Sequence, residues 1–182
     1  MRDVASKMAS SGSASESPAS GPKPRLLIAY DGSDLAAAAV RSAAELFPGS
    51  AALVVTVWER GLGAMPAVNP GLDAAGIAPV QLDPELVSEL DAAGEQHAAV
   101  VAREGAQLAG SLGLDAQPHA IPDEVHVADT IVDLAIERDA AAVVLGSHGI
   151  SGLRSRLLGS TSRQVLKRCR CPVVVIRAPE NR

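Results

Sequence analysis

The strongest constraint on this chain is the stretch 140–160, AAAVVLGSHGISGLRSRLLGS. It opens on an apolar run of 6 residues, 140–145, that stops at a glycine. A run this short, ended by a glycine, reads as a buried strand and not as a helix. Gly146, Ser147, His148 and Gly149 follow, then a loop with Arg154 and Arg156, and then Gly159, Ser160 and Thr161, where a helical pattern begins. Strand, glycine loop and helix start are the parts of a phosphate cradle. Glycine lets the backbone approach an anion, and the first N–H groups of a helix have no intrahelical partner. The spacing is G-x2-G-x9-G-S. It is neither the G-x-x-x-x-G-K-[ST] phosphate loop, since the lysine is missing, nor G-x-G-x-x-G. The plain alternative is a glycine turn joining a strand to a helix.

The rest of the chain alternates in kind. Residues 1–22 are small and polar without hydrophobic period, which predicts a disordered tail. Residues 23–30, KPRLLIAY, read as a central strand ending at Asp31-Gly32-Ser33-Asp34. Ser33 or Asp34 is placed to cap a helix over 35–46, with Ala36, Val40, Ala43 and Phe47 on one face. Residues 51–58 form a second strand. The stretch 59–82, rich in proline and glycine, reads as a long loop. Asp83-Pro84 starts a helix running to about residue 112, with Leu86, Leu90, Ala93, Val100 or Val101, Glu104 and Leu108 marking its period. His97 lies near that stripe and reads as a packed histidine. A strand over 115–121 carries Pro118, which suits a sheet edge. Residues 122–127 connect it to a helix over 128–138 with Ile131, Leu134 and Ala135 inward. After the glycine loop, a helix over 160–169 turns Val165, Leu166 and Cys169 inward. Its Thr161 and Gln164 have capping-box spacing. Residues 173–176, VVVI, form the last strand. This alternation predicts an α/β fold: a five-stranded parallel sheet with helices on both faces.

Asp31 stands at the carboxyl end of the first strand, where open parallel sheets bind ligands. A carboxylate there accepts from hydroxyl or amino groups and repels phosphate. It therefore suits the ribose or base end of a nucleotide, or else serves its own turn. Charge is uneven: residues 1–150 hold 8 Lys/Arg and 20 Asp/Glu, a balance of −12, whereas 151–182 hold 8 and 1, a balance of +7. Arg154 and Arg156 favour phosphate at the loop, and Arg163 reads as part of a solvated helix. The basic patch is short and aromatics are 2%, which argues against a nucleic-acid partner. No apolar run reaches the roughly 18 residues of a membrane span, and no secretory signal is visible. Cys169 and Cys171 are too close in sequence for an easy disulfide and too few for zinc, which points to a reducing cytoplasm. Cys169 itself reads as a core thiol.

With its start RLLIAYDGSD, its end VLKRCRCPVVVI and G-x2-G-x9-G-S between them, the chain resembles the universal stress protein family over residues 24–178, about 85% of its length. The resemblance implies a single domain over 23–178, with 179–182 as its C-terminal end, and a Rossmann-like sheet of strand order 3-2-1-4-5. It implies a cytoplasmic ATP-binding stress-response protein. Asp31 would meet the adenosine, Val57 would meet adenine through its backbone, and Gly146, Gly149, Gly159 and Ser160 would hold the phosphates. Ser147, His148, Arg154, Arg156 and Thr161 stand beside that set. ATP or a related adenine nucleotide is the expected ligand, with Mg2+ as its companion and no metal held by protein alone. Two other classes fit less well: a slow nucleotide hydrolase or phosphoryl-transfer enzyme, and a dimeric interaction module without nucleotide. No catalytic set stands out, although His148 is placed to reach a terminal phosphate. In that strand order 173–176 is an apolar edge, and unpaired edges invite pairing with a second copy, so a homodimer through Val173, Val174, Val175 and Ile176 is expected.

Overall fold

Nine elements follow one another in strict alternation in the computed structural model, which describes residues 25–60, 83–123, 126–148 and 158–177. They are β1 (Arg25–Ala29), α1 (Asp34–Leu46), β2 (Ala51–Glu59), α2 (Pro84–Ser111), β3 (Asp115–Asp123), α3 (Val127–Glu137), β4 (Ala142–Gly146), α4 (Ser160–Arg168) and β5 (Val173–Ile176). The strands form one sheet in the order β3-β2-β1-β4-β5, and every pairing is parallel. The expected α/β fold and strand order are therefore observed. The tail 1–22, most of the loop 59–82, and Gly149, Arg154 and Arg156 lie outside the described residues.

Period-two alternation divides the core. Leu26, Ile28, Val54, Ala142 and Val144 face α1 and α2, together with Val174 and Ile176 of β5. Leu27, Leu53, Val55, Val143 and Leu145 face α3 and α4, with Val173 and Val175. A strand buried on both faces has no polar side, which is why β1 and β4 read as unbroken apolar runs. Pro118 sits in β3 at the sheet edge, as expected, because an edge strand tolerates a missing N–H. β3 also runs on through Pro122 to Asp123, two residues beyond its expected end.

Helix starts follow local chemistry. The Ser33 hydroxyl accepts from the Ala36 N–H at 3.1 Å, and Asp83 accepts from the Glu85 N–H at 2.9 Å with Pro84 just inside the helix. At α4 the capping box on Thr161 is not formed. Its N-cap is Gly159, two residues earlier, and no side chain caps it. Leu166, expected inward, is exposed, and buried Ser162 lies on the inner face with Val165.

The face of α2 also differs from expectation. Leu86, Leu90 and Val100 are exposed, as are Ala93, His97 and Glu104. The buried positions are Ala98, Ala102, Gly105, Ala106 and Ala109. Two causes combine. A helix of 28 residues is about 42 Å long and outreaches the strands it covers, so its first turns pass beyond the core. Val101 and Leu108 of the expected stripe do pack against the core, partly buried, but along the line of closest approach only small residues fit. A Cβ at Gly105 would stand 2.7 Å from the Tyr30 ring and 2.8 Å from Val54. Hydrophobicity locates a face, but here size selects it. Gly105→Val should therefore destabilise the fold by ~1–3 kcal/mol through overpacking. Urea unfolding would read this as a lower midpoint with an unchanged slope.

Candidate functional site

The connections leave β1 towards β2 and β3 on one side and reach β4 and β5 on the other, so the switch point lies between β1 and β4. Neighbouring loops diverge there, and a crevice opens at the carboxyl ends of the two strands. A cleft of about 140 Å³ occupies this place. Ala29, Tyr30 and Asp31 come from the end of β1, Val55 and Val57 from β2, and Leu145, Gly146 and His148 from β4 and its loop. Val127 and Ile131 of α3 and Thr161 of α4 complete the wall. The lining is apolar, with a carboxylate and an imidazole among its side chains.

The Asp31 carboxylate accepts from the Ser33 N–H at 3.0 Å, which holds the turn where Gly32 takes a φ of +82°. It thus serves its own turn, one of the two readings the sequence offered, and also lines the cleft. Thr56 donates its hydroxyl to the Tyr30 carbonyl at 2.8 Å, and the Tyr30 N–H bonds to the Val55 carbonyl. These bonds clasp β1 to β2 under the cleft. Burial, then the Glu104 and Asp31 carboxylates, push the Tyr30 phenol above its ordinary range, so it remains a neutral O–H.

The opposite rim is built around Ser147. Its N–H donates to the Ile176 carbonyl at 2.7 Å, and its own carbonyl accepts the Gly159 N–H at 2.6 Å and the Ser162 hydroxyl at 2.9 Å. These contacts hold the start of α4 against the end of β4. Gly146 and Gly159 are needed for approach. A Cβ at Gly146 would stand 3.0 Å from Leu35, and one at Gly159 would stand 3.0 Å from the Ser147 carbonyl oxygen. Because the Gly159 N–H is given to Ser147, the helix N–H groups left for a ligand begin at Ser160 and Thr161. His148 borders the cleft with its Nδ1 3.1 Å from the Ser147 hydroxyl. Arg163 is exposed and donates to the Leu158 carbonyl at 3.1 Å, as expected of a solvated helix residue.

The structure thus brings Asp31, Val57, Gly146, His148 and Thr161 to one cleft, with Ser147, Gly159 and Ser160 at its rim. Gly149, Arg154 and Arg156 lie outside the described residues. Sequence reasoning missed Thr56, Tyr30 and Ser162. An isolated hydroxyl in a strand or helix carries no pattern, and its carbonyl partner is set only by packing. Among the described residues, no group of three or more His, Cys, Asp or Glu side chains could hold a metal, and no helix is long and apolar enough to cross a membrane.

A doubly wound parallel sheet with a cleft at its switch point defines an α/β ligand-binding architecture. The model of the universal stress protein family matches residues 24–177, and the chain belongs to that family. It is 32% identical over 154 residues to a universal stress protein of Thermus aquaticus, covering 84% of this chain and 97% of that one. Solved structures of the family share its fold, among them the following two. A universal stress protein in complex with cAMP has a TM-score of 0.55 and 21% identity, covering 86% of this chain and 98% of that one. The universal stress protein of Archaeoglobus fulgidus in complex with dAMP has a TM-score of 0.51 and 23% identity, covering 85% and 97%.

Removing the Ser162 hydroxyl tests the rim. The Ser147 carbonyl would keep its bond from Gly159, so Ser162→Ala should cost ~1 kcal/mol and not the larger penalty of an orphaned buried oxygen. Chemical denaturation at equilibrium reads this difference.

Proposed function

We propose that the chain binds an adenine nucleotide, ATP or a close relative, in the cleft between β1 and β4, and that occupancy serves a cytoplasmic stress response. One observation carries the reading: the two ends of the cleft differ in charge preference. Asp31 borders one end, where an anionic acceptor favours ribose hydroxyl or base amino groups. The other end meets the start of α4, whose N–H groups have no side-chain cap and whose dipole favours phosphate. Between them the apolar side chains of Val57, Val127 and Ile131 suit a flat base, with the Val57 backbone reading adenine. The family relatives solved with cAMP and with dAMP support an adenine nucleotide.

In this reading Gly146 and Gly159 act by letting the chain come close, and Ser160 and Thr161 present N–H groups to phosphate. Ser147 holds that rim, while His148, Gly149, Arg154 and Arg156 complete the phosphate end. Mg2+ would ride on phosphate oxygens and water. Asp31→Asn keeps an oxygen for the Ser33 N–H and removes the charge. Hydrogen bonds to a charged acceptor are worth about 1.5–3 kcal/mol, so affinity for ATP should fall about tenfold or more with an unchanged melting temperature. Calorimetry on nucleotide-free protein measures it. Equal affinity would remove Asp31 from the site, and no binding by the wild type would end the reading.

We also propose a homodimer through β5. Val173, Val174, Val175 and Ile176 are each only half-buried in the single chain, and β5 is a sheet edge. Pairing with a second copy would satisfy the free edge and cover the valines. Val174→Lys with Val175→Lys should shift light scattering from dimer towards monomer at micromolar concentration. A strictly monomeric wild type would overturn this proposal alone.

A further inference from the structure

Two thiols stand apart from the nucleotide cleft. Cys169 is the C-cap of α4, its N–H bonded to the Val165 carbonyl at 2.8 Å. Cys171 precedes Pro172, whose carbonyl accepts the Val143 N–H at 2.9 Å. In an extended strand, residues two apart are separated by about 6.6 Å at their Cα atoms, near the upper limit for a disulfide. Their closeness in sequence argues against an easy bridge. The chain is not extended here. It bends at residues 170 and 171, and the two Sγ atoms lie 3.2 Å apart, both as free thiols. A disulfide needs about 2.05 Å, so the sulfurs must close by about 1.2 Å. Small side-chain rotations can supply this while the flanking backbone bonds stay in place.

The pair is also accessible. A cleft of about 290 Å³ separates the turn from the end of α3, with Ile136, Asp139 and Ala140 on one side and Cys169, Arg170 and Cys171 on the other. Each thiol is only partly buried. A small oxidant can therefore reach sulfur from solvent.

We propose that Cys169 and Cys171 form a reversible dithiol–disulfide pair that takes a hydroperoxide as its oxidant. Cys169, as thiolate, attacks one peroxide oxygen. The O–O bond breaks, hydroxide leaves and takes a proton as water, and Cys169 becomes a sulfenic acid. The Cys171 sulfur then attacks the Cys169 sulfur, the S–O bond breaks, and a second water carries off the Cys171 proton. Two thiols lose two electrons in total, and one hydrogen peroxide is reduced to two waters. Burial, and then its contact with Cys169, push the Cys171 thiol up to about 11. It is therefore protonated at neutral pH and gives up its proton as its sulfur attacks the Cys169 sulfenic acid; the 3.2 Å between the two sulfurs makes it the resolving partner. A ring closed over one residue removes little chain entropy from the unfolded state, so the bond acts as a chemical sensor and not as a structural staple. The pair needs no nucleotide, and its test is independent of the proposed binding site.

Reduced full-length protein is treated with hydrogen peroxide, the remaining thiols are alkylated, and tryptic peptides are weighed. Cleavage after Arg168 and Arg170 separates Cys169-Arg170 from the peptide running from Cys171 to Arg177. An internal disulfide appears as one linked species, two hydrogens lighter than the two peptides together. We expect that species, an intact mass lower by two hydrogens, independence from protein concentration, and full reversal by dithiothreitol. Cys171→Ser should give no linked species and leave Cys169 to proceed to sulfinic acid. Its circular-dichroism melt shows whether it is folded, and the wild-type masses stand without it. Two alkylated cysteines after peroxide, sulfinic acid on the wild-type sulfurs, or bridges only between chains would each overturn the proposal.

Discussion

The peptide at Ser147 is the joint on which the site depends. Its N–H reaches β5, and its carbonyl receives both the Gly159 N–H and the Ser162 hydroxyl. A single carbonyl with two donors fixes where α4 begins relative to the end of β4. That position decides whether the first N–H groups of α4 border the cleft or turn to solvent. Buried polar groups must be paired, so these bonds leave the start of the helix little freedom. The glycines on either side are consequences of this closeness, since a methyl group at Gly159 would press on the carbonyl oxygen that the turn needs.

The other half of the cleft is held by a different device. β1 and β2 are parallel neighbours, and Thr56 adds a side-chain bond to the Tyr30 carbonyl just before Asp31. The Tyr30 ring is held in turn by Gly105 of α2, which leaves room for it. Contact therefore runs from the small face of α2 through Tyr30 to the turn that carries Asp31. Close packing transmits displacements, so a larger side chain under α2 would act on the aspartate turn as well as on stability.

The two ends of the cleft thus have separate supports, one in hydrogen bonds at the start of α4 and one in side-chain packing beneath β1. The thiol turn lies at the far end of α4, on the same rigid helix but outside both supports. Arg168, the residue before Cys169, pairs with Asp129 in the first turn of α3, which ties the two helices together.

The sequence by itself determined the order of elements, the central strands, the edge position of the strand with Pro118, and part of the cleft lining. Each of these rests on local information: apolar runs with no polar side, proline without an N–H, a cap serine after a strand, glycines at a set spacing. The tertiary structure decided what depends on fit between distant segments. It turned the alanine and glycine face of α2 inward in place of Leu86 and Leu90, because the closest approach to the sheet admits only small side chains. It moved the cap of α4 from Thr161 to Gly159, because a carbonyl 12 residues earlier in the chain captured the Gly159 N–H. It brought Cys169 and Cys171 together by a bend between a helix end and a strand start that spacing alone does not reveal. Periodicity and motifs report what a segment prefers. Distances between segments that meet only in the folded chain are set by packing and by the pairing of buried polar groups.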